Sequence, residues 1–218
     1  MTPNKEDYLK CIYELGLDGQ KITNKKIAET MQFSAPAVSE MMKKLLAEGL
    51  VQKDDQLGYR LEVQGQKMVA DLYRKHRLIE VFLVNQLGYS AEEVHEEAEV
   101  LEHTISDLFV ERLDAVLGFP QICPHGGTIP RKDQPLVERY STKLAHVTDI
   151  GPYRLLRVKD FYQLLQYLEQ HQLAVGDQLD VLEIDLTFSQ TITIAYKGKQ
   201  LTIPLSIAEV LYVEKEKS

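Results

Sequence analysis

With 218 residues, 44% of them hydrophobic, the chain can bury a real core as one large domain or two to three small ones, and it reads as a soluble globular protein. No run approaches the roughly 20 apolar residues of a membrane span, and the start MTPNKEDY holds no apolar stretch for a signal peptide, so a cytoplasmic location is expected. The net charge of -8 counts against nucleic acid only until it is divided: residues 1–75 carry 12 Lys and Arg against 11 Asp and Glu, residues 76–218 carry 13 against 22, and a DNA-binding head on an acidic body fits that split.

Two cysteines, Cys11 and Cys123, make no disulfide framework, and Cys11 lies among Leu9, Ile12 and Leu15, where core is expected. Thr2 followed by Pro3 is an N-cap with proline in the first turn, and Tyr8, Leu9, Ile12 and Leu15 continue as a helical stripe to Gly16. Asp7 lies on this helix, off the stripe. Thr23 caps a second helix through Met31, with Ile27, Ala28 and Met31 inward. Ser34 caps a third, with Pro36 in its first turn and Gly49 just past its end. The turn at Gln32 and Phe33 makes the pair a helix-turn-helix. Two strands at 50–53 and 59–63, joined by a polar turn containing Asp54, Asp55 and Gly58, then form a wing.

In a winged helix-turn-helix the third helix enters the major groove. Ser34, Ala35, Pro36, Ala37, Ser39, Glu40, Lys43 and Lys44 are therefore the expected base and phosphate readers, with Val38, Met41, Met42, Leu45 and Leu46 facing the core. Lys25 and Lys26 on the second helix, and Lys53 and Arg60 on the wing, suit the phosphate backbone. Similar helix pairs occur in folds that never touch DNA. Basic residues at both caps and wing favour DNA here.

Residues 65–87 read as a long helix in which Met68, Leu72, Leu78, Ile79, Phe82 and Leu83 recur at helical spacing. His76 and Glu80 share one of its faces at i and i+4, a pair that is usually a surface hydrogen bond. After a break at 88–90, with Ser90 as cap, residues 91–117 are expected to form one helix carrying VHEEAEVLEH at 94–103. At about 100° per residue, His95, Glu99, Glu102 and His103 fall within roughly a third of a turn. Two imidazoles and two carboxylates on one stripe can surround a divalent cation; without one they crowd like charges together. The competing reading is a solvated acidic face, which suits Glu92, Glu93, Glu96 and Glu97.

Leu101, Ile105, Leu108, Phe109, Leu113, Val116 and Leu117 form more apolar surface than one metal site needs. That points to a helical subunit interface, and a two-fold dimer would present two reading heads to a palindromic operator. CysProHisGlyGly at 123–127 is a loop whose turn can aim Cys123 and His125 at one ion; the plainer alternative is a small buried thiol beside a loop histidine. Residues 130–150 read as a helix plus linker. Strands at 153–158, 179–186, 190–196 and 200–204, a short helix at 160–171 and a hairpin turn at 197–199 then argue a small, mostly antiparallel β domain.

GluAspTyr at 6–8, the winged helix, HisArgLeuIleGlu at 76–80, HisGluGluAlaGluValLeuGluHis at 95–103, the CysProHisGly loop and a β tail stand in one particular order. In that order the whole chain resembles the diphtheria toxin repressor and manganese transport regulator family, and within it the longer streptococcal-type manganese regulators. The resemblance implies an α+β fold in three parts: a winged helix-turn-helix domain over 1–64, a helical dimerisation and metal-binding domain over 65–147, and a small SH3-like, FeoA-type β-barrel over 148–218. It also implies a homodimeric repressor that needs Mn2+, with Fe2+, Zn2+ or Cd2+ as substitutes, to bind double-stranded operator DNA and repress metal-uptake genes.

Carried over residue by residue, the family's first metal site corresponds to Asp7, His76, Glu99, Glu102 and His103, and a second to Glu80, Cys123, His125 and Asp160, with His95 near it. Position 99 is Glu where iron-type members carry Cys, and oxygen ligands favour the harder Mn2+. Position 10 is Lys where manganese-type members carry a ligand Glu, which counts against a two-metal cluster there. The expected mechanism is a population shift: Asp7, Glu99 and Glu102 repel without metal, and metal ties the head that carries Asp7 to the body that carries the rest. One rival is an iron or zinc sensor of the same architecture. A metalloenzyme is the other, but each near match to the zinc-protease helix signature has Glu where His is required, and nothing pairs a nucleophile with a base.

Overall fold

A computed structural model describes residues 5–17, 19, 21–90 and 93–216. The expected cap at Thr2 and Pro3 lies outside them. The chain forms two compact units, the first reaching to Arg74 and including Pro130–Leu136, the second taking Lys75–Ile129 and the chain from Val137 onwards.

The first unit holds α1 (Lys5–Leu17), α2 (Asn24–Met31), α3 (Ala35–Ala47), β1 (Val51–Asp54), β2 (Gly58–Leu61) and the opening turns of α4 (Val63–Leu87). Both expected caps are present: Thr23 Oγ1 accepts from the Lys26 amide at 3.2 Å and Ser34 Oγ from the Ala37 amide at 3.4 Å. Gln32, left-handed at φ 56°, closes α2 and turns the chain into α3. Leu9, Ile12, Ile27, Val38, Met42 and Leu45 form the core with Cys11, whose thiol is pushed up to about 12 by burial and by Glu14. Leu46 departs from expectation. It is 37% exposed, because Val38, Met42 and Leu45 already fill the inward stripe of α3.

The wing pairs antiparallel from Val51 opposite Leu61 to Asp54 opposite Gly58. Gly58 is required there: at φ 78° it passes so close to the Ile22 backbone that a Cβ would lie 2.0 Å from the Ile22 carbonyl oxygen. The same approach lets the Ile22 amide donate to Leu57 O and the Tyr59 amide donate to Ile22 O, both at 2.9 Å, so the wing is hydrogen-bonded to the segment that enters α2.

The second unit takes α4 from Lys75, then α5 (Glu93–Leu101), α6 (Asp107–Val116), a 3-10 turn (Leu144–His146), β3 (Gly151–Val158), α7 (Tyr162–His171), β4 (Gln178–Asp185), β5 (Thr191–Tyr196), β6 (Lys199–Pro204), α8 (Leu205–Ala208) and β7 (Leu211–Lys215). Its strands form one antiparallel sheet in the order β6-β5-β4-β3-β7, over a core of Leu155, Leu164, Leu179, Ile192, Ile194, Ile203 and Leu211. Lys197 and Gly198, at φ 47° and 74°, supply the two positive φ angles of the tight β5–β6 turn. A second core, with Leu78, Val94, Ala98, Val110, Leu113 and Cys123, joins α4 to α5, α6 and the 123–127 loop.

Three expectations are corrected in this unit. The helix expected over 91–117 is two helices, because the Thr104 hydroxyl donates to Leu101 O and Ser106 caps α6 through the Phe109 amide. Glu102 and His103 therefore sit in the turn after α5 rather than on a helical stripe. Residues 130–150 contain no helix beyond the 3-10 turn, consistent with Pro130, Pro135 and a left-handed Asp133 at φ 60°. Strand β7 was not expected, yet it covers one edge of β3. Along α6, Leu108, Phe109 and Val116 are 64%, 49% and 76% exposed. Among the described residues no helix is long and apolar enough to cross a membrane.

Candidate metal centre

The i, i+4 spacing on α4 buries both His76 and Glu80, whose side chains are 1% and 0% exposed. Glu80 Oε1 lies 3.2 Å from His76 Nε2 and 2.9 Å from His125 Nδ1. Its other oxygen, Oε2, is buried and makes no hydrogen bond among the described residues. A carboxylate oxygen taken out of water without a partner is costly, and a cation is the partner that a histidine-lined pocket of this kind fits. Burial raises the Glu80 carboxyl, but the charges and hydrogen bonds of His125 and His76 outweigh it and hold Glu80 well below the usual carboxylate range. Burial likewise lowers His125, yet Glu80 and Cys123 leave it well above the usual imidazole value. Burial, then Glu80, push the Cys123 thiol up to about 11.

His125 and Cys123 reach the centre through a tight loop. The Gly126 amide donates to Cys123 O and the Cys123 amide to Gly127 O, each at 2.9 Å. Gly126, at φ 80°, lies so near β3 that a Cβ would meet Leu156 O at 1.9 Å, and the Val158 amide donates to His125 O at 2.9 Å. This docking brings in Asp160, just past the end of β3, whose Oδ2 is 3.7 Å from His76 Nε2. Burial and Glu80 raise Asp160, but His76, His95 and His125 bring it below its ordinary value. From α5, the His95 ring meets His76 edge-on with centroids 5.3 Å apart.

Two groups result in which the donor atoms all lie within 4.8 Å of one another: His76, Glu80, His95 and Asp160, and Glu80, Cys123 and His125. The residues expected at the second site are divided between the two groups, Asp160 in one and Cys123 with His125 in the other, with Glu80 shared. His76, grouped from the resemblance with Glu102, faces both ways: its Nδ1 is 2.6 Å from Glu102 Oε2. The other oxygen of buried Glu102 is 3.3 Å from His103 Nε2, while Glu99 is exposed and 3.9 Å from His95 Nε2. Asp7 lies on α1 in the first unit, and Lys10 lies over the Tyr73 ring at 5.7 Å. Sequence reasoning passed over Arg77, Glu138 and Arg157, which form a buried ion cluster. Arg77 stood in plain view beside His76. Glu138 carried no local signal, since its two arginine partners, Arg77 and Arg157, lie in other elements.

On α3 and its cap, Ser34, Ala35, Pro36, Ala37, Glu40, Lys43 and Lys44 are exposed, with Lys44 3.0 Å from Glu40. Ser39 is half-buried and its hydroxyl accepts from Asn24 Nδ2 at 3.1 Å, so it helps pack α2 on α3. Lys25, Lys53 and Arg60 are exposed and Lys26 is half-buried.

Residues 1–59 match the iron dependent repressor, N-terminal DNA binding domain; 63–131 match the iron dependent repressor, metal binding and dimerisation domain; 142–215 match the FeoA domain. The chain is 61% identical to the manganese regulator SloR, a solved structure, over 99% of this chain and 100% of that one, with a TM-score of 0.90. A structure of ScaR with bound Zn2+ is 56% identical over 98% of this chain and 100% of that one, with a TM-score of 0.94. The diphtheria toxin repressor of Corynebacterium diphtheriae is 27% identical over 226 residues, 99% of this chain and 98% of that protein. Two of the three matched domains are those of DNA binding and of metal binding and dimerisation. With repressor domains matched in their family order, and with relatives more than half identical along their whole length, the chain belongs to the iron-dependent repressor family of the diphtheria toxin repressor.

Proposed function

We propose that the chain is a manganese-dependent transcriptional repressor, acting in the cytoplasm as a homodimer on palindromic operator DNA of metal-uptake genes, and that it is not an enzyme. The observation that carries this reading is Glu80, wholly buried among His76, His95, His125 and Asp160 with one carboxylate oxygen unsatisfied. Nitrogen and oxygen donors dominate the set, and the carboxylates at 99 and 102 favour a harder ion.

Two sites are read in it. The second takes Glu80, Cys123, His125 and Asp160, with His95 beside them; the first takes Glu99, Glu102 and His103, with His76 facing both. Asp7 completes the first site in the reading taken from the family resemblance, so that the DNA-binding head and the dimer body share an ion. A divalent ion supplies positive charge that turns the repulsion among these carboxylates into attraction and shifts the population towards the DNA-competent dimer.

The functional parts are taken as 1–64, 65–147 and 148–218. Lys25, Lys26, Lys43, Lys44, Lys53 and Arg60 are assigned to phosphates, and Ser34, Ala35, Pro36, Ala37, Ser39 and Glu40 to the groove. A second reading, a zinc-responsive repressor, draws support from the Cys123 thiol beside Glu80 and His125, a softer donor set. Titrating Mn2+, Fe2+ and Zn2+ while following operator binding by fluorescence anisotropy separates the two. Mn2+ is expected to raise affinity most, and equal operator affinity in excess chelator would exclude a metal-dependent repressor altogether.

A further inference from the structure

Three segments deliver the ligands of the second site: α4 brings Glu80, the 123–127 loop brings Cys123 and His125, and the end of β3 brings Asp160. The Val158 amide ties β3 to the loop at His125 O, but no ligand joins all three segments except across the centre itself. Glu138 does. Its Oε1 accepts from Arg77 Nη2 at 2.6 Å and lies 3.2 Å from Arg157 Nη1, and its Oε2 accepts from the Thr128 amide at 3.0 Å.

Each partner stands next to ligand-bearing chain. Arg77 follows His76 on α4, Thr128 closes the loop after Gly127, and Arg157 is three residues before Asp160. Arg77 also donates to Thr128 O, and its guanidinium packs against Gly127 so closely that a Cβ there would lie 2.6 Å from it. Arg157 in turn lies over the Tyr212 ring of β7 at 3.6 Å, which fixes it against the sheet. All three charged side chains are about nine-tenths buried or more, at 6%, 10% and 10% exposure for Arg77, Glu138 and Arg157.

We propose that Glu138 is a positioning residue for the second metal site, holding α4, the ligand loop and the β3 end at the separation that the ligands need. The proposal rests on the two-site reading given above. Glu138 is absent from both groups of potential ligands, so it acts through Arg77, Thr128 and Arg157 rather than by coordination. Outer partners that fix ligand geometry typically change metal affinity by about 10–100-fold. A planar fork on each guanidinium makes this carboxylate hard to replace, because the two arginines converge on one oxygen while the amide takes the other.

Calorimetric titration with Cd2+ alone, on the full-length chain and on Glu138→Gln and Glu138→Asp, tests it. The second-site step is identified as the one that Asp160→Ala abolishes. Glu138→Gln is expected to weaken that step by about 10–100-fold while the other step keeps its affinity. Glu138→Asp keeps the charge but falls one methylene short of three donors, so it too is expected to weaken the second step. A merely stabilising ion cluster would lower the unfolding temperature and leave site affinities alone. Wild-type second-site affinity in either variant, or equal loss at both steps, overturns the proposal. A wild-type chain that takes up only one Cd2+ removes the two-site reading and the proposal with it, and this result is distinct from the others.

Discussion

Glu80 belongs to both groups of potential ligands, which sets it apart from every neighbour in the centre. Asp160 and His95 serve one group; Cys123 and His125 serve the other. Replacing Glu80 by Gln keeps the shape and one acceptor but removes the charge that His76 and His125 face. We expect Glu80→Gln to lose the second-site ion entirely, and equilibrium dialysis against Mn2+ should read one ion fewer per chain. An unchanged count would show that Glu80 is a counter-charge for the histidines and not a ligand. The family resemblance, not spacing, named the ligands of this centre: His76 and Glu80 alone read as a surface pair, and CysProHis as a turn that can aim two side chains at one ion. Neither showed which atom of which residue faces which group. Helical periodicity puts His76 on a face, but only packing turns its Nδ1 to Glu102 and its Nε2 to Glu80. Glu138 was illegible for a different reason, since no pattern of local spacing links it to Arg77 or Arg157.

At the scale of elements, caps and turns were legible and breaks were not. Thr23 and Ser34 announce their helices by local hydrogen bonding, which the sequence alone determines. The break after Leu101 stayed hidden, because Leu101, Ile105 and Phe109 continue the i, i+4 stripe straight through it. That break gives α6 its own start, and Phe109 becomes its third residue with Ser106 as cap. Phe109→Glu therefore completes a Ser-x-x-Glu capping box and does not weaken the helix. It does place a charge in the exposed face of Leu108, Phe109 and Val116. Sedimentation should show the dimer of this variant dissociating at concentrations where the parent stays paired; an unshifted dimer would move the interface elsewhere. The wing turn offers a pH test. The Leu57 and Gln56 amides, donating to Asp54 Oδ1 at 2.7 and 2.8 Å, hold its carboxyl below the ordinary value. A depressed folded value means that the contribution is complete above the unfolded value, about 3.9, and fades as pH falls through the folded one. Hydrogen exchange at the Gln56 and Leu57 amides should accelerate below about pH 4 relative to the rest of the wing, and Asp54→Ala should show that faster exchange at neutral pH.

For the whole molecule, an overall charge of -8 has to be reconciled with a DNA-binding domain. The head is nearly neutral and the remainder carries the acid, so binding depends on a few cations presented outward against a body that DNA repels. Lys43 on α3 and Arg60 on the wing are both exposed, on the two elements that a winged helix lays against the duplex. Each phosphate that such a cation neutralises releases counterions and contributes about -0.9 to the slope of log affinity against log salt. Lys43→Ala and Arg60→Ala should each flatten that slope by about one, measured with Mn2+ held saturating so that the metal sites are not the variable. Because the lost term is the salt-sensitive one, the deficit should be largest in low salt and shrink as salt rises. A deficit that stays constant across the salt range would mean that the side chain reads a base or supports the fold. A slope that remains steep in both variants would place the phosphate contacts on other cations of the head, with Lys25, Lys26, Lys44 and Lys53 next in line.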